Sequence, residues 1–88
     1  MNWDYEITAK ALKQLRKLGP EASRRILAFL DSRIAETEDP RQFGKCLTGS
    51  LAEFWRYRVE DYRIICKLEE DKLVVLVVRI GNRRDIYD

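Results

Sequence analysis

The chain has 88 residues, of which 17 are Lys or Arg and 15 are Asp or Glu, so its net charge is only +2. A chain of this length buries about 60–65% of the surface that its unfolded state exposes, which predicts a single domain over residues 1–88. The absence of histidine excludes the commonest general base and the usual zinc ligand. Cys46 and Cys66 match no metal-binding spacing. We therefore expect neither a metal nor another cofactor.

The sequence also indicates the compartment. No stretch approaches the roughly 20 apolar residues of a membrane span. Residues 1–6 alternate between polar and apolar side chains and lack the apolar segment of a signal peptide. These features predict a soluble cytoplasmic protein without a membrane partner. In a reducing compartment we expect Cys46 and Cys66 to be free thiols, buried or half-buried.

The first half of the chain predicts a strand followed by two helices. Residues 3–7 alternate between apolar and polar side chains, as in a half-buried strand. Thr8 can cap the next helix, Gly19 ends it, and Pro20 suits the first turn of a second helix. Helices joined by so short a turn form a hairpin, whose apolar faces need a sheet to cover. The apolar residues at helical spacing are Leu12, Leu15, Leu18, Ala22, Ile26, Phe29, Leu30 and Ile34.

The second half of the chain predicts strands. A loop over 39–44 leads to a short strand at 45–48, and residues 54–59 and 62–68 show strand-like alternation. Residues 73–80 are nearly all apolar, which predicts a central strand covered on both faces. The predicted fold class is α+β, with two layers. The N-terminal strand and the helical hairpin pack on a mainly antiparallel sheet of four to five strands.

Arginines gather on one face of the hairpin formed by the two alternating strands. The two-residue turn Glu60–Asp61 sets its register, so that Arg58 lies opposite Arg63 and Arg56 shares their face. Like charges placed opposite each other on a sheet cost about 0.2–1 kcal/mol. A bound polyanion would reverse that cost, because the guanidinium fork matches phosphate oxygens. A second interpretation stays open, in which these arginines lie over aromatic rings and extend into solvent beside carboxylates.

More basic and aromatic residues follow the last strand. Gly81 is expected to let the chain bend there, which brings Arg83 and Arg84 near the arginines of the hairpin. Tyr87 can stack on an unpaired base while arginines hold the phosphates, a combination that suits single-stranded RNA. Tyr87 is also a chemically plausible base, since nearby arginines favour its phenolate form. The alternative for Tyr87 is a ring packed back on the sheet.

The order of elements resembles the RelE family of bacterial toxins, within the wider RelE/ParE group, over essentially the whole chain. The resemblance is carried by "LTG", "FWRYRVEDYRIICKL" and "VVLVVRIGNRRDIYD". It implies a toxin of a type II toxin–antitoxin system: an mRNA interferase that cuts mRNA in the ribosomal A site by attack of the 2′-hydroxyl. The implied partners are a cognate antitoxin bound around the toxin, the ribosome and mRNA, with operator DNA reached only through the antitoxin.

The resemblance also implies a set of catalytic residues, carried over by position. Arg83 would donate a proton to the leaving group, Arg63 would stabilise the phosphate, and Tyr87 would stack on and orient the substrate. Arg56 and Arg58 complete the set at two positions that are lysines in well-studied RelE toxins. Because arginine is a poor base, the identity of the base stays open. Further RNA contacts are expected from Lys45, Arg79 and Arg84.

Two other functions remain open on the sequence. A ParE-like toxin would share the fold and inhibit DNA gyrase by binding, without nuclease chemistry. Such a toxin would not need five catalytic side chains on one concave patch. A catalytically inactive relative would only bind its partner and DNA.

Overall fold

The computed structural model describes residues 2–84 and residue 86, and within them it contains five strands and two α-helices. The helices are α1 (Ala9–Lys17) and α2 (Pro20–Phe29), and α2 continues into a π-helical turn at Leu30–Ile34. Short 3-10 turns cover Pro40–Phe43 and Gly49–Leu51. The strands are β1 (Asp4–Ile7), β2 (Lys45–Cys46), β3 (Phe54–Val59), β4 (Tyr62–Glu69) and β5 (Val74–Asn82).

The five strands form one mixed sheet in the order β1-β5-β4-β3-β2. β1 runs parallel to β5, and the other neighbours pair antiparallel. The helices pack against one face, which gives two layers. The predicted α+β fold with a mainly antiparallel sheet is therefore confirmed, and β1 supplies its parallel edge.

The helical hairpin forms where its capping residues predict. The Thr8 side-chain oxygen accepts a hydrogen bond from the Ala11 N–H at 3.1 Å and so caps α1. Gly19 joins the helices with φ of 97°, a conformation that favours glycine, and Pro20 occupies the first turn of α2. Among the described residues no helix is long and apolar enough to cross a membrane.

The hydrophobic core fills the space between the helices and one face of the sheet. Tyr57 lies at its centre, fully buried, and its hydroxyl donates to the Pro40 carbonyl oxygen at 2.9 Å. Burial of each large apolar side chain contributes about 1.5–3 kcal/mol. The other fully buried large side chains among the described residues are Ile26, Leu30, Ile34, Pro40, Ile64, Cys66, Val75 and Val77.

The expectation that the last strand is covered on both faces is wrong. Val75 and Val77 are fully buried under the helices, whereas Leu76 and Val78 on the opposite face are only half-buried. The pairing of β4 with β5 shifts between Ile65 and Cys66 and leaves Val78 out of register. The bulge inserts Val78 as an extra residue in β5. The apolar run is therefore longer than the alternation of a single buried face would make it. A continuous apolar run therefore did not mean two covered faces.

Cys46 and Cys66 are both free thiols, as expected. Cys66 is buried in β4, and this burial raises the pKa of its thiol. Cys46 is exposed, which contradicts the expectation that both thiols would be buried or half-buried. The reason is that β2 is a two-residue strand at the edge of the sheet.

Candidate functional site

We name Arg56, Arg58 and Arg63 the arginine face, because they share the side of the sheet that faces away from the helices. Arg58 pairs directly with Arg63, and Arg56 pairs with Ile65. This is the register predicted from the two-residue turn. Side chains alternate along β3, so Tyr57 enters the core while the arginines project from the opposite side.

Two members of the arginine face are buried. Arg56 is 7% exposed and Arg63 is 6% exposed, whereas Arg58 is exposed. The Arg63 Nη1 donates to the carbonyl oxygens of Glu60 and Tyr62, each at 3.0 Å. A buried guanidinium stays protonated and needs such hydrogen bonds to offset its lost hydration. The interpretation in which these arginines extend into solvent is therefore wrong for Arg56 and Arg63.

A pocket of about 240 Å³ opens beside the arginine face. Lys45, Arg56 and Arg58 supply three positive groups to its wall, and Lys45 pairs with Arg56 between β2 and β3. Guanidinium and ammonium groups arranged in this way bind anionic oxygens well. The pocket is therefore suited to a phosphate group. Its remaining lining residues are Gln42, Phe43 and Gly44.

Gly44 lets the loop before β2 approach β3 closely. A Cβ at this position would lie 2.7 Å from the Arg56 carbonyl oxygen and 2.8 Å from a Tyr57 ring carbon. No residue larger than glycine fits there without movement of the backbone. Gly44 therefore fixes the distance between the loop and the arginine face.

Arg83 follows β5 and lies at the turn of the β3–β4 hairpin. Its N–H donates to the Asp61 carbonyl oxygen at 2.8 Å, and its Nε is 3.9 Å from an Asp61 carboxylate oxygen. Its side chain is 60% exposed. The turn residues directly follow β3 and precede β4, so Arg83 is placed at the end of the sheet where Arg58 and Arg63 pair.

The hairpin turn is also tied to the helical layer. The Glu60 carboxylate accepts hydrogen bonds from the Arg25 Nη1 at 2.5 and 2.6 Å. Arg25 also bonds Glu21 on its own helix at 2.9 Å. The turn that holds Arg83 is thus connected through Glu60 to α2. No local pattern predicted this connection, because Arg25 and Glu60 lie 35 positions apart along the chain.

The other predicted RNA-contacting residues lie outside the pocket beside the arginine face, although the pairing of Arg79 with Ile65 and of Ile65 with Arg56 places Arg79 on the same side of the sheet. Arg79 is exposed on β5, where it pairs with Ile65, and it lines a second groove of about 360 Å³ with a largely apolar floor. Arg84 is exposed, and its N–H donates to the Asn82 side-chain oxygen at 3.2 Å. Tyr87 lies outside the residues that the structure describes. Its role stays a prediction.

The expectation that Gly81 bends the chain at the strand exit is wrong. β5 continues through Asn82, and Gly81 instead makes room for Ile86. A Cβ on Gly81 would lie 3.0 Å from both Cγ1 and Cδ1 of Ile86, which is 3% exposed. Sequence reasoning missed Asn82 and Ile86. The available signal was a glycine inside a strand, which often marks a close approach of another segment.

Comparisons with known proteins extend over nearly the whole chain. Residues 5–87 match the model of a family described as the ParE toxin of the type II toxin–antitoxin system parDE. The chain is also similar to Toxin RelG of Mycobacterium tuberculosis (strain ATCC 25618 / H37Rv). The two are 26% identical over 87 residues, which cover 99% of this chain and 98% of RelG.

Solved structures show the same fold. A chain in the crystal structure of the toxin–antitoxin complex RelBE2 from Mycobacterium tuberculosis superposes with a TM-score of 0.85 at 23% identity. That match covers 94% of this chain and 100% of the other. A chain in the crystal structure of the archaeal RelE-RelB complex from Pyrococcus horikoshii OT3 gives a TM-score of 0.68 at 27% identity. It covers 94% of this chain and 97% of the other.

Proposed function

This chain belongs to the ParE toxin family of type II toxin–antitoxin systems, within the RelE/ParE superfamily, and from that premise we propose that it is a ribosome-dependent mRNA endonuclease. The resemblance to RelE toxins implies this activity. The geometry of the arginine face supports it independently. The proposal also includes a cognate antitoxin as partner, in line with the toxin–antitoxin complexes to which the fold is similar.

The observation that carries the proposal is the direct pairing of Arg58 with Arg63, beside the turn that holds Arg83. Opposed like charges cost about 0.2–1 kcal/mol on a sheet. The carbonyl bonds of Arg63 account for its own burial, but they do not account for a second arginine placed opposite it. A phosphodiester placed between the two guanidinium groups would reverse the sign of their interaction, since each group would face negative oxygens.

The reaction proposed for this site needs no outside reactant. The ribose 2′-oxygen attacks the adjacent phosphorus, and the bond from phosphorus to the 5′-oxygen of the next nucleotide breaks. One product then ends in a 2′,3′-cyclic phosphate and the other in a 5′-hydroxyl. The proton of the 2′-hydroxyl passes to a base, and a second proton is delivered to the leaving 5′-oxygen.

The phosphate and the leaving oxygen each have a candidate group in this chain, whereas the base that takes the 2′-hydroxyl proton is not assigned. Arg63 is buried and held by the turn carbonyls, and with Arg58 it stabilises the charge that develops on the phosphate oxygens. Arg83 is exposed at the turn and donates to the leaving oxygen. We assign Tyr87 to stacking on a base of the message. A Tyr87→Phe variant keeps the ring and loses the phenol, so it separates stacking from proton transfer.

The remaining cations bind the message on either side of the cleaved bond. Lys45 and Arg56 line the pocket beside Arg58 and hold a neighbouring phosphate. Arg79 and Arg84 are exposed and extend the positive surface. Since these contacts displace counterions from RNA, we expect binding to weaken steeply with salt.

Inhibition of DNA gyrase by a ParE-like toxin is not favoured. The curated relative and the solved structures reported above carry RelE-type names. A toxin that acts by binding alone also has no need for opposed arginines beside a third one at a turn. Inhibition of gyrase is therefore measured beside mRNA cleavage in the experiment that follows.

The proposal is tested by cleavage of mRNA on programmed ribosomes, with naked mRNA alongside. The natural chain is compared with Arg83→Ala and with the control Arg33→Ala, which removes an exposed arginine from the helical layer. We expect A-site cleavage on ribosomes only, a rate reduced roughly 10²–10⁴-fold in Arg83→Ala, and no change in the control. Equal rates for Arg83→Ala and the natural chain would contradict the role of Arg83. Intact mRNA, together with inhibition of gyrase, would overturn the nuclease.

A further inference from the structure

The chain makes a tight turn directly after β5, and Asn82 closes it with both of its carbonyl oxygens. The main-chain oxygen of Asn82 accepts from the Ile86 N–H at 3.1 Å. Its side-chain oxygen accepts from the Arg84 N–H at 3.2 Å. An asparagine side chain that bonds the backbone two residues further on is a recognised way to stabilise a turn.

The same turn is anchored on the sheet by Ile86. This side chain is 3% exposed, and it lies over Gly81 so closely that a Cβ there would come within 3.0 Å. Gly81 pairs with Arg63 across the β4–β5 ladder. Residues paired across a ladder project to the same side of the sheet. Ile86 therefore packs on the side that carries the arginine face.

Arg83 lies within this turn, between Asn82 and Ile86. Its side chain is 60% exposed, and an exposed arginine samples many rotamers. The position of its guanidinium group therefore depends on how firmly its backbone is held. Among the described residues, the contacts that hold this backbone are the bond from the Arg83 N–H to Asp61 and the two bonds that Asn82 accepts. The ion pair with Asp61, at 3.9 Å and exposed, adds little.

We propose that Asn82 and Ile86 are positioning residues, which hold the backbone of Arg83 beside the Arg58–Arg63 pair by closing the turn and seating it on Gly81. This inference rests on the proposed nuclease function and adds two residues to it. Neither residue contacts the reacting atoms. Misplacement of a catalytic group by about 1 Å can cost roughly hundredfold in rate, so we expect loss of either contact to slow cleavage while RNA still binds.

The first test compares Asn82→Ala with Asn82→Asp in cleavage on programmed ribosomes. Asp keeps an acceptor oxygen for the Arg84 N–H, whereas Ala removes it. We expect Asn82→Ala to lower kcat by roughly tenfold or more, with KM for the ribosome–mRNA complex nearly unchanged, and Asn82→Asp to recover most of the rate. Amide hydrogen exchange provides a second readout, in which the Arg84 N–H loses protection in Asn82→Ala and keeps it in Asn82→Asp.

A matched control distinguishes a positioning role from a general effect on the stability of the fold. Ile26→Val removes a methyl group from the core between the helices and the sheet, on the side opposite to the arginine face. We expect this variant to lose thermal stability and to cleave at the natural rate below its melting temperature. Ile86→Ala should show a larger loss of cleavage rate than its change in thermal stability explains.

A double-mutant cycle tests the contact between Gly81 and Ile86. Gly81→Ala alone forces Ile86 to move and should slow cleavage. Among the described residues, only Ile86 has atoms within 4 Å of the added Cβ, so in an Ile86→Ala background Gly81→Ala should slow cleavage no further. Additive effects would show that Gly81 acts on cleavage independently of Ile86.

Different results would contradict the nuclease function and the positioning role of Asn82 and Ile86. Natural rates in both Asn82→Ala and Ile86→Ala, beside an inactive Arg83→Ala, would overturn the positioning role and leave the nuclease intact. A natural chain that cleaves nothing on ribosomes would overturn the nuclease and with it any positioning role in catalysis. A rise in KM without a fall in kcat would also overturn the inference, since it would indicate that Asn82 serves RNA binding.

Discussion

Arg58 and Arg63 face each other directly across the β3–β4 hairpin, although one is exposed and the other is buried. The buried guanidinium is fixed by the carbonyl oxygens of Glu60 and Tyr62, whereas its partner is open to an approaching ligand. This asymmetry suits a site in which one arginine is held rigidly and another adapts to the substrate. A bound anion would lower the cost of placing two positive charges opposite each other on the sheet.

Removal of this repulsion should stabilise the fold and impair the site. We expect Arg58→Gln to raise the free energy of unfolding by up to about 1 kcal/mol, because Arg63 then lacks an opposed charge. The same variant should cleave ribosome-bound mRNA more slowly. Urea denaturation and the cleavage assay measure the two effects. Lys67→Gln, which changes an exposed cation on β4 opposite Phe54, is the control and should change neither. A less stable Arg58→Gln would contradict this account.

Gly44→Ala should destabilise the protein although the position is only half-buried. The new methyl group would meet the Arg56 carbonyl oxygen and the Tyr57 ring at under 3 Å. Overpacking of this kind costs about 1–3 kcal/mol. For a domain of this size, each 1 kcal/mol lowers the melting temperature by about 4–8 °C. Thermal unfolding followed by circular dichroism measures the loss, with exposed Gln42→Ala in the same loop as control. An unchanged melting temperature in Gly44→Ala would contradict the close approach.

The two thiols should differ sharply in reactivity. Cys46 is exposed, whereas Cys66 is fully buried and the pKa of its thiol is raised by that burial. Since the thiolate is the reactive form, we expect an alkylating reagent to modify one thiol per folded chain and both thiols in urea. Mass spectrometry counts the adducts. A Cys46→Ser variant should remain unmodified while folded, and rapid modification of that variant would contradict the burial of Cys66.

Because of Tyr5, the free energy of unfolding should depend on pH in the alkaline range. Burial and the hydrogen bond that its hydroxyl donates to Asp31 at 2.5 Å raise the pKa of Tyr5 from 10.0 to about 12. The folded state thus holds this proton more tightly than the unfolded state. The resulting stabilisation is complete below pH 10 and is lost as the pH rises towards about 12. Urea unfolding of the natural chain and of Tyr5→Phe, compared across this range, measures it.

We expect the natural chain to be more stable than Tyr5→Phe at pH 9, and this advantage to shrink between pH 10 and pH 12. The burial of Tyr57 raises the pKa of its phenol too, but Tyr57 is present in both proteins and cancels in the difference. A difference that stays constant with pH would show that Tyr5 titrates alike in the folded and unfolded chains.

Local patterns predicted most of the fold. Thr8, Gly19 and Pro20 set the helix ends through capping and backbone geometry, which depend on near neighbours alone. The Glu60–Asp61 turn set the register of β3 with β4, because a two-residue loop leaves little freedom. The pairing of Arg58 with Arg63 followed from that register. These features need no knowledge of distant contacts.

The features that sequence reasoning missed all depend on segments that meet in space. The burial of Arg56 reflects the approach of the loop at Gly44, and the role of Gly81 depends on Ile86 folding back on it. The link from Arg25 to Glu60 joins residues that lie 35 positions apart. The apolar run of β5 likewise does not predict whether one or both of its faces are buried.

The most direct test of the central claim is the chemical identity of the RNA ends produced on programmed ribosomes by the purified natural chain. We expect one cut in the A-site codon, with a 2′,3′-cyclic phosphate on the upstream fragment and a 5′-hydroxyl on the downstream fragment, and no cut in naked mRNA. An intact message under conditions where the protein arrests cell growth would contradict the claim that the arginine face cleaves RNA.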